Sequence, residues 1–214
     1  MRSKLSRRLV CVVFADALLA QKNVLAAEPP KEKYYFELKA VTPKPELKAD
    51  VVKLALARVL AELKKAFQQH PQIVVQLEGA PGANTEPDLY RAFLAKSHIT
   101  GAFRVTVEIT DAAEVLTPSE DKPSAKRLET RLALRMLGAR IPDDTLGFTG
   151  HGKAASKQEA TTPVSEAERQ DTWNQLAELA VAQAIKTALD ELTIAAKAKP
   201  KSKPVGKRAP AAAP

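Results

Sequence analysis

Seven residues, Phe103 to Ile109, constrain the fold of this chain more than any other stretch. Phe103, Val105, Val107 and Ile109 alternate with Arg104, Thr106 and Glu108, and Thr110 continues the polar set. Period two places each set on its own face of a strand. The chain must therefore build a sheet with one face turned to a core and the other to solvent. Lys126–Leu137 alternates again. There Leu128, Leu132, Leu134 and Met136 point inward, while Glu129, Arg131 and Arg135 point out.

Helical periodicity accounts for most of the rest. Val52, Leu56, Val59, Leu63 and Phe67 recur at three and four residues, which predicts an amphipathic helix over Asp50–Gln69, ended by Pro71. Thr85 with Asp88, and Pro87 in the first turn, predicts a second helix over Glu86–Lys96 that buries Leu89, Phe93 and Leu94. Ser165 with Glu168 forms a capping box ahead of a last helix running to Ala196. Its wide apolar face holds Trp173, Leu176, Ala180, Val181, Ala184, Ile185, Leu189 and Leu192, and its alanines allow close approach to a sheet.

Three further strands are expected. Tyr34–Val41 is rich in β-formers, Ile73–Leu77 reads as a short central strand, and Gly147–Ala155 as a glycine-rich last strand. Asp111–Ser124 and Gln158–Pro163 read as loops, and Ile141–Asp144 as a turn. The sum is an α+β domain: a mixed, mostly antiparallel sheet of about five strands with three helices, in the order β-α-β-α-β-β-β-α. The three helices can all cover one face of such a sheet.

Charge divides the chain into three parts. Residues 1–27 carry five Lys/Arg against one Asp, and residues 197–214 carry six with no acid. Residues 28–196 hold 22 Lys/Arg against 24 Asp/Glu, so the net +8 comes from the two ends, +4 and +6, against a body of −2. A near-neutral body is not the electrostatic footprint of a nucleic-acid-binding domain. Arg2, Lys4, Arg7 and Arg8, then the apolar Leu9–Ala20, then Val24-Leu25-Ala26-Ala27, follow the order of a cleaved secretory signal, with cleavage near Ala26/Ala27. The apolar run is shorter than the roughly 20 residues a transmembrane helix needs, so no span is expected in the mature chain. Cys11 is the sole cysteine and would leave with the signal, so neither disulfide nor thiolate chemistry is expected afterwards.

The end, 197–214, is rich in Lys, Pro and Ala and cannot bury enough apolar surface to offset its ordering entropy. It reads as a disordered basic tail. Lys197, Lys199, Lys201, Lys203, Lys207 and Arg208 are the candidate binding residues, toward an anionic surface or polymer. Lone tail charges would also give salt-sensitive, non-specific attraction to nucleic acid.

Catalytic, cofactor and metal sites are not legible. His70, His98 and His151 lack the short spacings of zinc ligands. Neither Gly147–Gly152 nor Gly79–Gly82 has the register of a phosphate loop. Asp143-Asp144 and Glu120-Asp121 read as solvated turn pairs, and Ser97-His98 is only a sequence neighbour pair. Tyr34 and Tyr35 could anchor a partner, whereas Trp173 at helical spacing reads as core.

Three stretches carry a resemblance to a family: IVVQL after a long helix, ITGAFRVTVEIT, and GHGKAA leading to AELAVAQAIKTALDEL. Over about 150 residues the order resembles a bacterial envelope family, the amino-terminal domain of TolB and CsgG with its relatives. Ile141–Leu146 stands where that family carries a characteristic hairpin. The resemblance implies a non-enzymatic role through protein–protein contacts. The expectation is an exported binding or scaffolding protein of the cell envelope. Its partners would be envelope proteins or anionic envelope polymers and lipids. A nucleic-acid-associated protein acting through the tail is the alternative, and an enzyme is a third class. Oligomeric state is not readable from the chain.

Overall fold

The computed structural model describes residues 32–118, 126–160 and 164–198. The elements are β1 (Lys33–Pro43), α1 (Ala49–Gln69), β2 (Ile73–Val74), α2 (Pro87–Lys96), β3 (Ile99–Pro118), β4 (Lys126–Arg140), β5 (Leu146–Ala160) and α3 (Glu166–Ala198). The expected α+β class and the expected element order are both present. The five strands form one mixed sheet in the order β2-β1-β3-β4-β5. β1 runs parallel to β2 and β3, while β4 pairs antiparallel with both β3 and β5.

The alternating residues do what their period requires. Val105, Val107 and Ile109 are fully buried, as are Leu132, Leu134 and Met136 within a few percent. Phe36, Phe103 and Phe148 meet at centroid separations of 5.2–6.0 Å, and Phe67 of α1 closes on Phe36 at 5.5 Å. Edge-to-face and offset contacts of this kind are favourable beyond the area they bury. Gly138 sits opposite Phe148 in the β4–β5 register, where a Cβ would fall 2.1 Å from the ring.

α3 lies along β5 and β4 as its alanines suggested. A Cβ on Gly150 would come 2.4 Å from the Ala184 carbonyl, and one on Gly152 would come 1.8 Å from that of Ala180. Small residues on both sides let helix and strand backbones nearly touch. The capping box at its start is formed. Glu168 N–H donates to Ser165 Oγ at 3.2 Å, and Ser165 N–H donates to Glu168 Oε2 at 3.0 Å.

Several expectations are corrected. Ile73–Val74 is an edge strand of two residues rather than the start of a central strand to Leu77. β3 continues through 111–118 and β5 through 158–160, where loops were expected. The β3–β4–β5 ribbon pairs residue for residue across both stretches, with one irregularity at Ile109/Asp111. That shift swaps the facing residues, so the alternation changes phase and ceases to look like one strand. The Thr85 capping box does not form. The cap residue of α2 is Glu86, and Thr85 Oγ1 instead donates to the Gly82 carbonyl at 3.3 Å. Leu89 is 58% exposed, while Tyr90 and Leu94 are buried.

The helices also divide between the two faces. α1 and α3 share the face of Phe36 and Phe103. α2 packs with Tyr90 and Leu94 against Ala102 and Tyr35, whose side chains point the other way. The reason is topological. From β1 the chain steps outward to β2, then returns past β1 to β3. Two right-handed crossovers in opposite directions lie on opposite faces. Element order alone does not reveal that reversal.

Candidate functional site

The loop 75–86 that leads into α2 is built from two turns. Leu77–Ala80 turns through Gly79, whose φ of 71° suits the third position of a type II turn. The Glu86 N–H then donates to the Gly82 carbonyl at 2.8 Å. This loop, α2 and the outer face of β1 and β3 border an open pocket of about 350 Å³, lined in part by Tyr35, Glu37, Asn84, Tyr90 and Arg104. Leu77, Ala80, Ala83 and Ile141 supply its apolar wall. The volume falls at the lower end of the range of small-molecule sites.

Electrostatics in the cavity are internally compensated. Arg104 Nη1 donates to Asp144 Oδ1 at 2.7 Å, and Arg104 Nε lies 3.9 Å from Glu37 Oε2. The neighbouring Arg91 binds Asp143 at 2.8 Å. The two aspartates expected as a solvated turn pair thus each hold an arginine. Burial pushes the Tyr90 phenol up to about 12, helped by Tyr35 and Glu37 and opposed by Arg104. Burial and Glu37 likewise raise Tyr35. Both phenols stay protonated near neutrality, each able to donate and accept a hydrogen bond.

The three histidines are not brought together. His70 ends α1, His98 sits between α2 and β3, and His151 lies midway along β5. No cluster of three potential metal ligands occurs among the described residues. Gly147–Gly152 is strand and Gly79–Gly82 is the turn of the cavity wall. Tyr34 is core, with its hydroxyl on Glu32, and Tyr35 is the tyrosine that reaches the cavity. Trp173 is core as expected. Of the candidate basic tail, Lys197 lies exposed in the last turn of α3. Lys199, Lys201, Lys203, Lys207 and Arg208 lie outside the described residues, as do the expected signal at 1–27 and Glu120-Asp121.

Two features were not visible to sequence reasoning. Glu114, in a stretch expected to be loop, accepts from Arg169 Nε at 2.9 Å and Trp173 Nε1 at 3.3 Å, tying the far end of β3 to α3. Along the outer edge of β5, the N–H groups of Thr149, His151 and Lys153 donate to Glu191, Thr187 and Gln183 at 2.7–2.8 Å. The i, i+4, i+8 spacing of acceptors on α3 was the available signal, but it carries meaning only once the strand lies beside it.

No protein-family model matches this chain, and no curated protein does. Among solved structures, it is similar to a candidate lipoprotein from Caulobacter crescentus at 13% identity and a TM-score of 0.40. That match covers 76% of this chain and 93% of the other. A Xanthomonas campestris protein of the DUF330 family matches at 8% identity and TM-score 0.44, covering 79% and 91%. A minor lipoprotein from Acinetobacter baumannii matches at 7% and 0.32, covering 76% and 92%. None of these likenesses assigns a function.

Proposed function

We propose that the protein is an exported, non-catalytic binding or scaffolding protein of the bacterial cell envelope. It would act through protein–protein contacts, with the basic tail tethering it to anionic envelope surfaces. The observation that carries this reading is the placement of charge. The two ends carry +4 and +6, while the body between them carries 22 cations against 24 anions, for a net +8. A body so balanced does not concentrate polyanions, whereas a run of Lys and Arg on a Pro/Ala segment attracts them reversibly. Among the described residues, no helix is both long and apolar enough to cross a membrane.

Fractionation of cells producing the full chain tests the reading. The expected result is a shortened protein in the periplasmic fraction, with an amino terminus near Glu28. Full-length protein confined to the cytoplasm would overturn it.

A further inference from the structure

The two edges of the sheet are finished differently. On β5, side chains of α3 take up the outward N–H groups of Thr149, His151 and Lys153. On the other side β2 covers only Tyr34 and Tyr35, while β1 runs on to Pro43. Two hydrogen bonds fix which way the uncovered groups face. Tyr34 N–H donates to the Gln72 carbonyl on the β2 side, and Lys44 N–H donates to the Ile109 carbonyl of β3. Backbone groups alternate sides along a strand. Stepping by twos from each end, up to the bulge between Leu38 and Ala40, turns the N–H groups of Leu38 and Val41 to the open side. Among the described residues no strand pairs with them there, since the β2 ladder ends at Val74. An edge of this kind is a template for an added strand.

Beside that edge lies an open groove of about 200 Å³, lined by Phe36, Leu38, Phe67 and Val75, with Lys64 and Gln68 of α1 also in its wall. A strand laid along β1 would send every second side chain toward this groove. Charge selects among strands. Lys39 of β1 and Lys53 and Lys64 of α1 are exposed, and none has an ion pair among the described residues. Lys53 and Lys64 stand about three turns apart on one side of the helix. Glu37, the carboxylate of the groove lining, leans toward Arg104 at 3.9 Å. We propose that the open edge of β1 is a docking site for an extended segment of a partner protein that alternates apolar and acidic residues. The inference deepens the binding reading above, resting on its protein–protein contacts and not on its compartment. The partner's main chain would bond to Leu38 and Val41, its apolar side chains would enter the groove, and its carboxylates would meet the lysines. A second copy fits less well, because pairing β1 with β1 brings Lys39 of both copies to one seam. Lysine, a bulge and Pro43 are the usual means by which an edge resists self-pairing. Against an acidic strand the same lysine attracts, so one feature both rejects the wrong partner and selects the right one.

The test uses the full chain and two capped synthetic peptides of about eight residues, a common strand length, one alternating valine with glutamate and the other valine with lysine. Amide chemical shifts and amide exchange are followed on titration. The valine–glutamate peptide should saturate, with shifts confined to β1 and the adjoining side of α1. Exchange at Leu38 and Val41 should slow, while Glu37, whose N–H already faces β3, stays as it was. Lys39→Glu combined with Lys64→Glu should weaken that peptide about three- to tenfold and leave the midpoint of thermal unfolding level. Val41→Pro removes an outward N–H without breaking the β3 ladder and should weaken the same peptide. Should that variant fail to fold, the charge reversal decides alone. The proposal is overturned if the valine–glutamate peptide does not bind, if the valine–lysine peptide binds as well, or if the charge reversal leaves affinity unchanged. Unslowed exchange at Leu38 and Val41 at saturation would also overturn it. Slowing at these two amides that grows with protein concentration in the absence of peptide would overturn it in favour of a second copy. Cell fractionation tests export separately: a cytoplasmic protein would strike the envelope reading and leave the peptide result standing.

Discussion

Single side chains decide how the far end of the sheet is held. Glu114 is largely buried, with 15% of its side chain exposed, and it accepts from both Arg169 and the indole of Trp173. Its removal leaves a guanidinium and a buried N–H short of an acceptor. Glu114→Gln should cost about 1–2 kcal/mol, discounted because Arg169 remains one-third exposed and water can reach it. Urea unfolding of the full chain, with Trp173 emission as the probe, checks this. Glu129 presents the opposite case, on the solvent face. A hydrogen bond from Lys157 at 2.9 Å holds its carboxyl below the usual range against an opposing desolvation, with the charges of Lys157, Arg127 and Arg131 lowering it further. A depressed folded pKa contributes stability above the unfolded carboxylate value, and that contribution is lost as pH falls through the lower, folded value. Carboxyl NMR titration should place Glu129 below an ordinary glutamate, and Lys157→Gln should return it upward. Nearby, Arg135 Nη2 lies 2.7 Å from Glu108 Oε2 without the alignment of a hydrogen bond, so the outer face is held by charge as well as by directed bonds.

At the scale of elements, the pairing of α3 with β5 solves the problem of an open edge. An edge strand offers unpaired N–H and C=O groups to any other strand. Here Gln183, Thr187 and Glu191 accept from three successive outward N–H groups, and Thr187 Oγ1 also donates to the His151 carbonyl at 3.0 Å. Four residues of helix rise about 6.0 Å and two residues of strand about 6.7 Å, so the two repeats stay in register for only a few rungs. The next position on α3 is Leu179, which is 61% exposed, so the ladder ends where the mismatch has accumulated. Thr187→Val keeps the shape and removes the hydroxyl. It should cost about 1–2 kcal/mol and speed amide exchange at His151 well above that at Gly150, whose N–H faces β4. Unchanged exchange at His151 would show that water serves that N–H as well as threonine does.

For the whole molecule, the boundary between body and tail moves. α3 runs to Ala198, with Lys197 in its last turn, two residues past the expected end at Ala196. A lysine there suits the negative end of the helix dipole and belongs partly to the fold. Truncation after Ala198, rather than after Ala196, is therefore the clean test of the tail. The shortened protein should unfold at the same temperature as the full chain. It should also lose salt-sensitive sedimentation with envelope material, since the remaining tail cations each contribute about 1 kcal/mol at best near an anionic membrane surface. Equal sedimentation with and without the tail would count against a tether.

What the chain determines by itself is whatever depends on near neighbours in sequence. The alternation of Phe103–Ile109 and Leu128–Met136, the stripe ending at Leu63 and Phe67, and the Ser165–Glu168 box each follow from local geometry, and each is present in the structure. The three-part division of charge is of the same kind, a property of composition. What only the tertiary structure decides depends on partners far along the chain. Residues 111–118 are strand because β4 pairs with them across the phase shift at Ile109/Asp111, against their own polar composition. α2 lies on the face opposite α1 because β3 returns past β1, a reversal that no residue of α2 encodes. The cavity follows from that reversal. Tyr35, Tyr90 and Arg104 are spread over 70 positions of sequence, and one sheet face and one loop bring them together.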